Sequence, residues 1–139
     1  MKINYELIRN ILEVMEEHKN HEILGKELLD KLNIKVPEDD NNEEEILLYD
    51  NLVGHIKILF DNECIDNDFN NKENKYGFTY LLSTNFPLIN GAYRITAKGY
   101  DFLSGLKEDK VFSKIKDFSI NVAIEAAKQL LVKLALGNL

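Results

Sequence analysis

Residues able to carry chemistry are scarce in this chain: three histidines and one cysteine among 139 residues. His18 and His21 stand as His-x-x-His, a spacing that can set two imidazoles on one metal ion. No cysteine lies near them in sequence, so solvated loop histidines are expected and no metal is assigned. The acidic run Glu38-Asp39-Asp40 with Glu43-Glu44-Glu45 lacks the alternating ligands and central glycine of a calcium loop. It reads as solvated charge. Cys64 sits between a charged turn and Ile65 with no basic neighbour to activate it, which fits a structural thiol. The chain has no Gly-x-Ser-x-Gly turn, phosphate-cradling glycine loop or zinc spacing. These residues predict a non-enzyme without a cofactor.

The elements that would position any site follow from apolar periodicity. Leu7, Ile8, Ile11, Leu12 and Met15 form one stripe of a helix over 4–18, with Asn4 as its N-cap. A second helix is expected near Lys26–Leu32, burying Leu28, Leu29 and Leu32. The acidic connector from Val36 leads to a third helix near 43–62, whose first-turn glutamates suit the positive end of the helix dipole. Phe78–Leu82 and Ala92–Thr96 are β-prone, with Asn90-Gly91 as a turn signal between them. Helices over Ala97–Leu106, 109–117 and 119–136 complete the chain. Three helices followed by a β-ribbon is the winged-helix order. The expected fold is mainly α (α+β): a winged helix-turn-helix domain over 1–106 with a two-strand wing, and a C-terminal helical extension over 107–139.

Length and charge narrow the partners. A chain of 139 residues suits one domain with a single core. One cysteine excludes an intrachain disulfide. The opening lacks the order of a signal peptide, and no run of about 18 apolar residues occurs, so a cytoplasmic, non-membrane protein is expected. Net charge is −7. Residues 1–106 hold eleven Lys/Arg against twenty Asp/Glu, whereas 107–139 hold six against four. An acidic body weakens phosphate contacts.

Phasing the third helix at about 100° per residue puts Leu48, Tyr49, Leu52, Val53, Ile56, Leu59 and Phe60 inward. The opposite side carries Leu47, Asp50, Asn51, Gly54, Ile58 and Asp61, with Lys57 at its edge. A DNA-reading helix needs Arg, Lys, Asn or Gln at base edges with cations beside them. Two aspartates and two aliphatics occupy that face instead. Residues 61–75 add Asp61, Glu63, Asp66, Asp68 and Glu73 against only Lys72 and Lys75. Leu47, Asp50, Asn51, Gly54, Lys57 and Ile58 are therefore the candidate interaction face. It serves a protein partner if the C-terminal helices leave it uncovered. In the last helix, Ile120, Ile124, Ala127, Leu131 and Leu134 lie in a stripe so broad that burial on more than one side is expected. A homodimer through this helix follows.

Val53-Gly-His-Ile-Lys-Ile-Leu-Phe-Asp-Asn-Glu-Cys-Ile65 resembles the third helix and following strand of winged-helix proteins. Arg94-Ile-Thr-Ala-Lys-Gly-Tyr-Asp-Phe-Leu103 resembles the second wing strand and the helix after it. Nearly the whole chain is similar to a family of short, uncharacterised bacterial and phage proteins. The shared features are Met1-Lys2 followed by Leu7-Ile8-Arg9-Asn10-Ile11-Leu12, the His55–Leu59 helix, the Thr96–Leu103 join and a final Leu136-Gly137. Ala97, Tyr100 and Phe112 depart from it where Trp, His and Trp are expected. The resemblance implies a winged-helix fold and a phage or prophage setting, without assigned chemistry. The reading favoured by the residues is a non-catalytic winged-helix module acting through protein contacts. The alternative is a dimeric, sequence-specific DNA-binding transcriptional regulator.

Overall fold

The computed structural model describes residues 2–19, 22–38, 41–67 and 74–139. Helix α1 (Tyr5–Glu17) starts where the Asn4 side chain accepts the Leu7 backbone N–H at 3.1 Å, the expected cap. Strand β1 (Glu22–Leu24) leads directly into α2 (Gly25–Leu32), which ends on Asn33 in the left-handed conformation. Helix α3 (Glu43–Asp61) opens on a second asparagine cap, Asn42, which accepts from the Glu45 N–H. Four strands follow: β2 (Ile65–Asn67), β3 (Phe78–Tyr80), β4 (Pro87–Ile89) and β5 (Ala92–Ile95). Helices α4 (Ala97–Leu106), α5 (Asp109–Ile115) and α6 (Ile120–Ala135) end the chain.

The fold is mixed α/β, with two small antiparallel sheets. In one, β5 lies between β1 and β2, registering Ile23 with Tyr93 and Ile65 with Ile95. In the other, β3 and β4 form a two-stranded ribbon. Ile8, Ile11, Leu12 and Met15 of α1 are fully buried, together with Leu28, Leu52, Ile56, Leu59, Tyr93 and Phe102. Helix α1 therefore sits at the centre of one core. A Cβ on Gly99 would collide with the Cys64 carbonyl, so glycine lets the first turn of α4 approach the chain entering β2.

The wing expectation needs correction. Phe78–Tyr80 and Ala92–Ile95 are strands, but they do not pair with each other: β3 pairs with β4, and β5 joins β1 and β2. Asn90-Gly91 consequently links two sheets. Strands β1, β2 and β4 have three residues each, too short for an alternating pattern to register in sequence. Leu32 is only half-buried where burial is expected, whereas Leu28 and Leu29 are buried.

Helix α6 packs on α4 and α5. Its Ala123 and Ala127 are fully buried, and a Cβ on Gly105 of α4 would come within 2.9 Å of the Ala127 Cβ. Ile120, Ile124, Leu131 and Leu134 of the expected dimer stripe are half-buried beside them. Val122, Val132 and Leu136 are the large apolar residues exposed on α6 and its C-terminal cap. No helix among the described residues is long and apolar enough to cross a membrane.

Candidate interaction face

Helix α3 is held to the core along the side its phase predicts. Tyr49, Leu52, Val53, Ile56, Leu59 and Phe60 are all buried. Leu48 is the exception at 48% exposed, a correction to the expected core stripe. His55, on the same flank one heptad later, is 1% exposed instead. The difference lies in what covers the flank. The Asn4 backbone N–H donates to His55 Nε2 at 2.8 Å, and His55 Nδ1 donates to the Asn51 carbonyl at 2.6 Å. The chain entering α1 thus seals His55, and both ring nitrogens are satisfied only by the neutral ring protonated at Nδ1. Burial pushes the His55 pKa below its ordinary value, against a smaller opposing effect of the Asn51 carbonyl.

The outward face of α3 divides into apolar and acidic parts. Leu47 is 62% exposed, so the C-terminal helices do not cover it. Asp50 is exposed, and Asn51, Gly54, Lys57 and Ile58 are half-buried. All six residues therefore reach the surface of one helix. Lys57, the cation of this face, holds its ammonium 5.6 Å from the centre of the Tyr76 ring and 6.0 Å from that of Phe78. At the C-terminal end, Asp61 accepts from Lys75 Nζ at 2.7 Å and from the Tyr76 hydroxyl at 2.9 Å. Burial raises the Asp61 pKa, but these hydrogen bonds outweigh it and hold the carboxyl below its ordinary value.

The β3–β4 ribbon is anchored to the same helix. The Tyr49 hydroxyl donates to the Pro87 carbonyl at 2.5 Å, and Phe86 sits edge-on to the Tyr49 ring at 6.3 Å. At the end of β3 and in the turn after it, Tyr80, Leu81 and Leu82 are all exposed, the last completely so. Sequence reasoning missed these three, because a β-prone run ending in two leucines looks like a strand interior and not like an apolar turn.

The remaining candidate groups lie elsewhere. His18 hydrogen-bonds Glu27 at 2.6 Å, in a shallow cleft lined also by Glu17, Lys19 and Lys31. That hydrogen bond raises the His18 pKa, against a smaller effect of burial. His21, Asp39, Asp40, Asp68, Lys72, Glu73 and Met1 lie outside the described residues. Among the described residues, no three His, Cys, Asp or Glu side chains come together as a metal-binding group. Cys64 is fully buried, with its thiol pKa pushed up to about 11 by burial. No protein-family model matches this chain, and neither the curated proteins nor the solved structures contain a match.

Proposed function

We propose that this chain is a non-catalytic winged-helix binding module that acts through protein contacts made by the outer face of α3. The fold part of this reading draws on the order helix, strand, helix, helix, strand, ribbon, strand, with the last strand central in its sheet. The resemblance to short phage and prophage proteins supplies the setting. The observation that carries the functional part is the composition of α3: an uncovered Leu47, exposed Glu43, Glu44 and Asp50, and a single lysine engaged with aromatic rings. Such a face lacks the cations that hold phosphates.

The alternative is a dimeric DNA-binding transcriptional regulator. Element order favours it, and the charge on α3 opposes it. A mobility-shift assay with random duplex DNA at about 150 mM salt is expected to give no sub-micromolar complex, since ordinary non-specific binding lies near 10⁻⁴–10⁻⁶ M. A photoreactive residue replacing Leu47 is expected to crosslink protein in cells expressing the chain. A nuclease-sensitive adduct there, or tight duplex binding, would transfer the assignment to the regulator. Self-association through α6 is proposed on its outer side, where Val122, Val132 and Leu136 stand exposed. Val132→Glu should convert the dimer to a monomer, and a monomeric wild-type chain at tens of micromolar in light scattering would end that proposal.

A further inference from the structure

We propose that the outer line of α6 receives α6 of a second copy of this chain, antiparallel, about a two-fold axis level with Ala127. This inference rests on the α6 self-association put forward above and specifies its orientation and register.

The line is set by helical phase. Ala123 and Ala127, fully buried, hold one side of α6 toward α4 and α5. On the opposite side Val122, Glu125, Gln129 and Val132 are exposed, and Leu136 continues the line at the C-cap. The spacing alternates between three and four residues, which keeps a seam facing a neighbouring helix. Val122 is 49% exposed, Val132 57% and Leu136 69%, so the chain itself leaves this line uncovered.

Turned end for end, the line is its own complement. Val122 meets the partner's Val132 at both ends, and Glu125 meets the partner's Gln129 between them. A side-chain amide there donates to a carboxylate. Within one helix the Gln129 amide already donates to Glu125 at 3.5 Å, which keeps both groups on this face and leaves a second amide hydrogen for the partner. Lys128, exposed on the flank beside Glu125, comes within one residue of the level of the partner's Glu125. Symmetry supplies that charge pair twice.

Glu125 selects this arrangement over the others. A parallel two-fold pair sets each residue against its own copy, with carboxylate facing carboxylate in the middle of the seam. A bilayer would receive the same carboxylate at the centre of the inserted face. Length then sets the strength. A helix of 16 residues extends about 24 Å, and a seam of one such helix per chain falls at the small end of specific interfaces. Association at micromolar concentration is expected.

The full-length variants Val122→Cys and Val132→Cys test the orientation, with the enclosed Cys64 left in place. Mixed at tens of micromolar in a glutathione buffer, they are expected to form chiefly the disulfide between unlike chains, identified by a tag on one. Either variant alone should crosslink poorly, because its two copies lie about 15 Å apart along the seam, beyond disulfide reach. Glu125→Lys and Lys128→Glu should each weaken the dimer about fivefold in sedimentation equilibrium, and the double reversal should restore it. All four substitutions alter exposed side chains and should leave the melting temperature unchanged. Like-chain disulfides from each cysteine variant alone, or charge reversals without effect, would overturn the antiparallel register and leave α6 self-association standing. A wild-type dimer that crosslinks in none of these mixtures would overturn both. So would a monomer at tens of micromolar, including one that binds phosphatidylglycerol vesicles and is released from them by Val132→Glu.

Discussion

His55 and His18 place opposite demands on the proton. Nε2 of His55 accepts the Asn4 N–H, so a proton added there would face a donor inside the core. Its folded pKa lies below the ordinary 6.5, and the unfolded chain therefore binds the proton more readily. The stability His55 contributes is present above pH 6.5 and is lost as pH falls through the folded value. His18 is the reverse case. Nδ1 faces the Lys19 carbonyl and Nε2 the Glu27 carboxylate, two acceptors that only the doubly protonated ring satisfies. Its folded pKa is raised, so its contribution is present below pH 6.5 and fades as pH rises through the folded value. Imidazole proton shifts followed by NMR should titrate His55 below and His18 above the ordinary value; the reverse order would refute both hydrogen-bond assignments. His55→Ala strands the Asn4 N–H and is expected to cost about 1–3 kcal/mol in urea unfolding. Cys64, with its pKa pushed up to about 11 and its side chain enclosed, should react with a thiol reagent only after denaturant is added. Rapid labelling of the native chain would contradict its enclosure.

At the scale of elements, the two sides of α3 make a sharp contrast. Ile56 is fully buried and Asp50 is exposed. Ile56→Asp places a carboxylate in the core and should unfold the domain, whereas Asp50→Ala should shift stability by no more than about 0.5 kcal/mol. Equal melting temperatures for the two variants would invalidate the phase of the helix. Gly99→Ala drives a methyl into the Cys64 carbonyl and is expected to cost about 1–3 kcal/mol. This phase was readable in the sequence because a 19-residue helix repeats its apolar spacing several times. The flank was less readable. Leu48 and His55 occupy equivalent positions one heptad apart, and only a segment remote in sequence decides which is covered. The Asn4–His55 hydrogen bond spans 51 residues, and no local pattern encodes it. The strands failed for a different reason: three residues show at most one full alternation, and Pro87 argues against a strand although it begins one at a ribbon edge. The site was half legible on the same grounds. Leu47, Asp50, Gly54 and Ile58 followed from helical phase, while the Tyr49–Pro87 contact that ties the ribbon to the buried side of the same helix had no local signal.

For the molecule as a whole, the question is whether residues 107–139 are an appendage or part of the structure that holds 1–106 together. Helix α6 lies on α4, where Gly105 admits Ala127, and on α5, whose Val111 and Ile115 are fully buried. The segment before it is tied to the first helix, because the Tyr5 hydroxyl donates to the Phe118 carbonyl at 2.5 Å. Burial raises the Tyr5 pKa to about 12, so this hydroxyl keeps its proton and remains a donor across the ordinary pH range. Ending the chain at Phe118 would uncover Leu106, Val111 and Ile115 and discard the half-buried Ile120, Ile124, Leu130 and Leu131. Full burial of one large aliphatic side chain contributes about 1.5–3 kcal/mol, so losing several partly buried ones matches much of the roughly 5–15 kcal/mol that holds a small domain folded. The truncated chain is therefore expected to lose cooperative thermal unfolding and to bind a hydrophobic dye that the full chain excludes. Retention of the full-length melting temperature would show that the core of 1–106 closes on its own. In that case the apolar character of α6 would have to be explained by a second molecule instead of by α4 and α5.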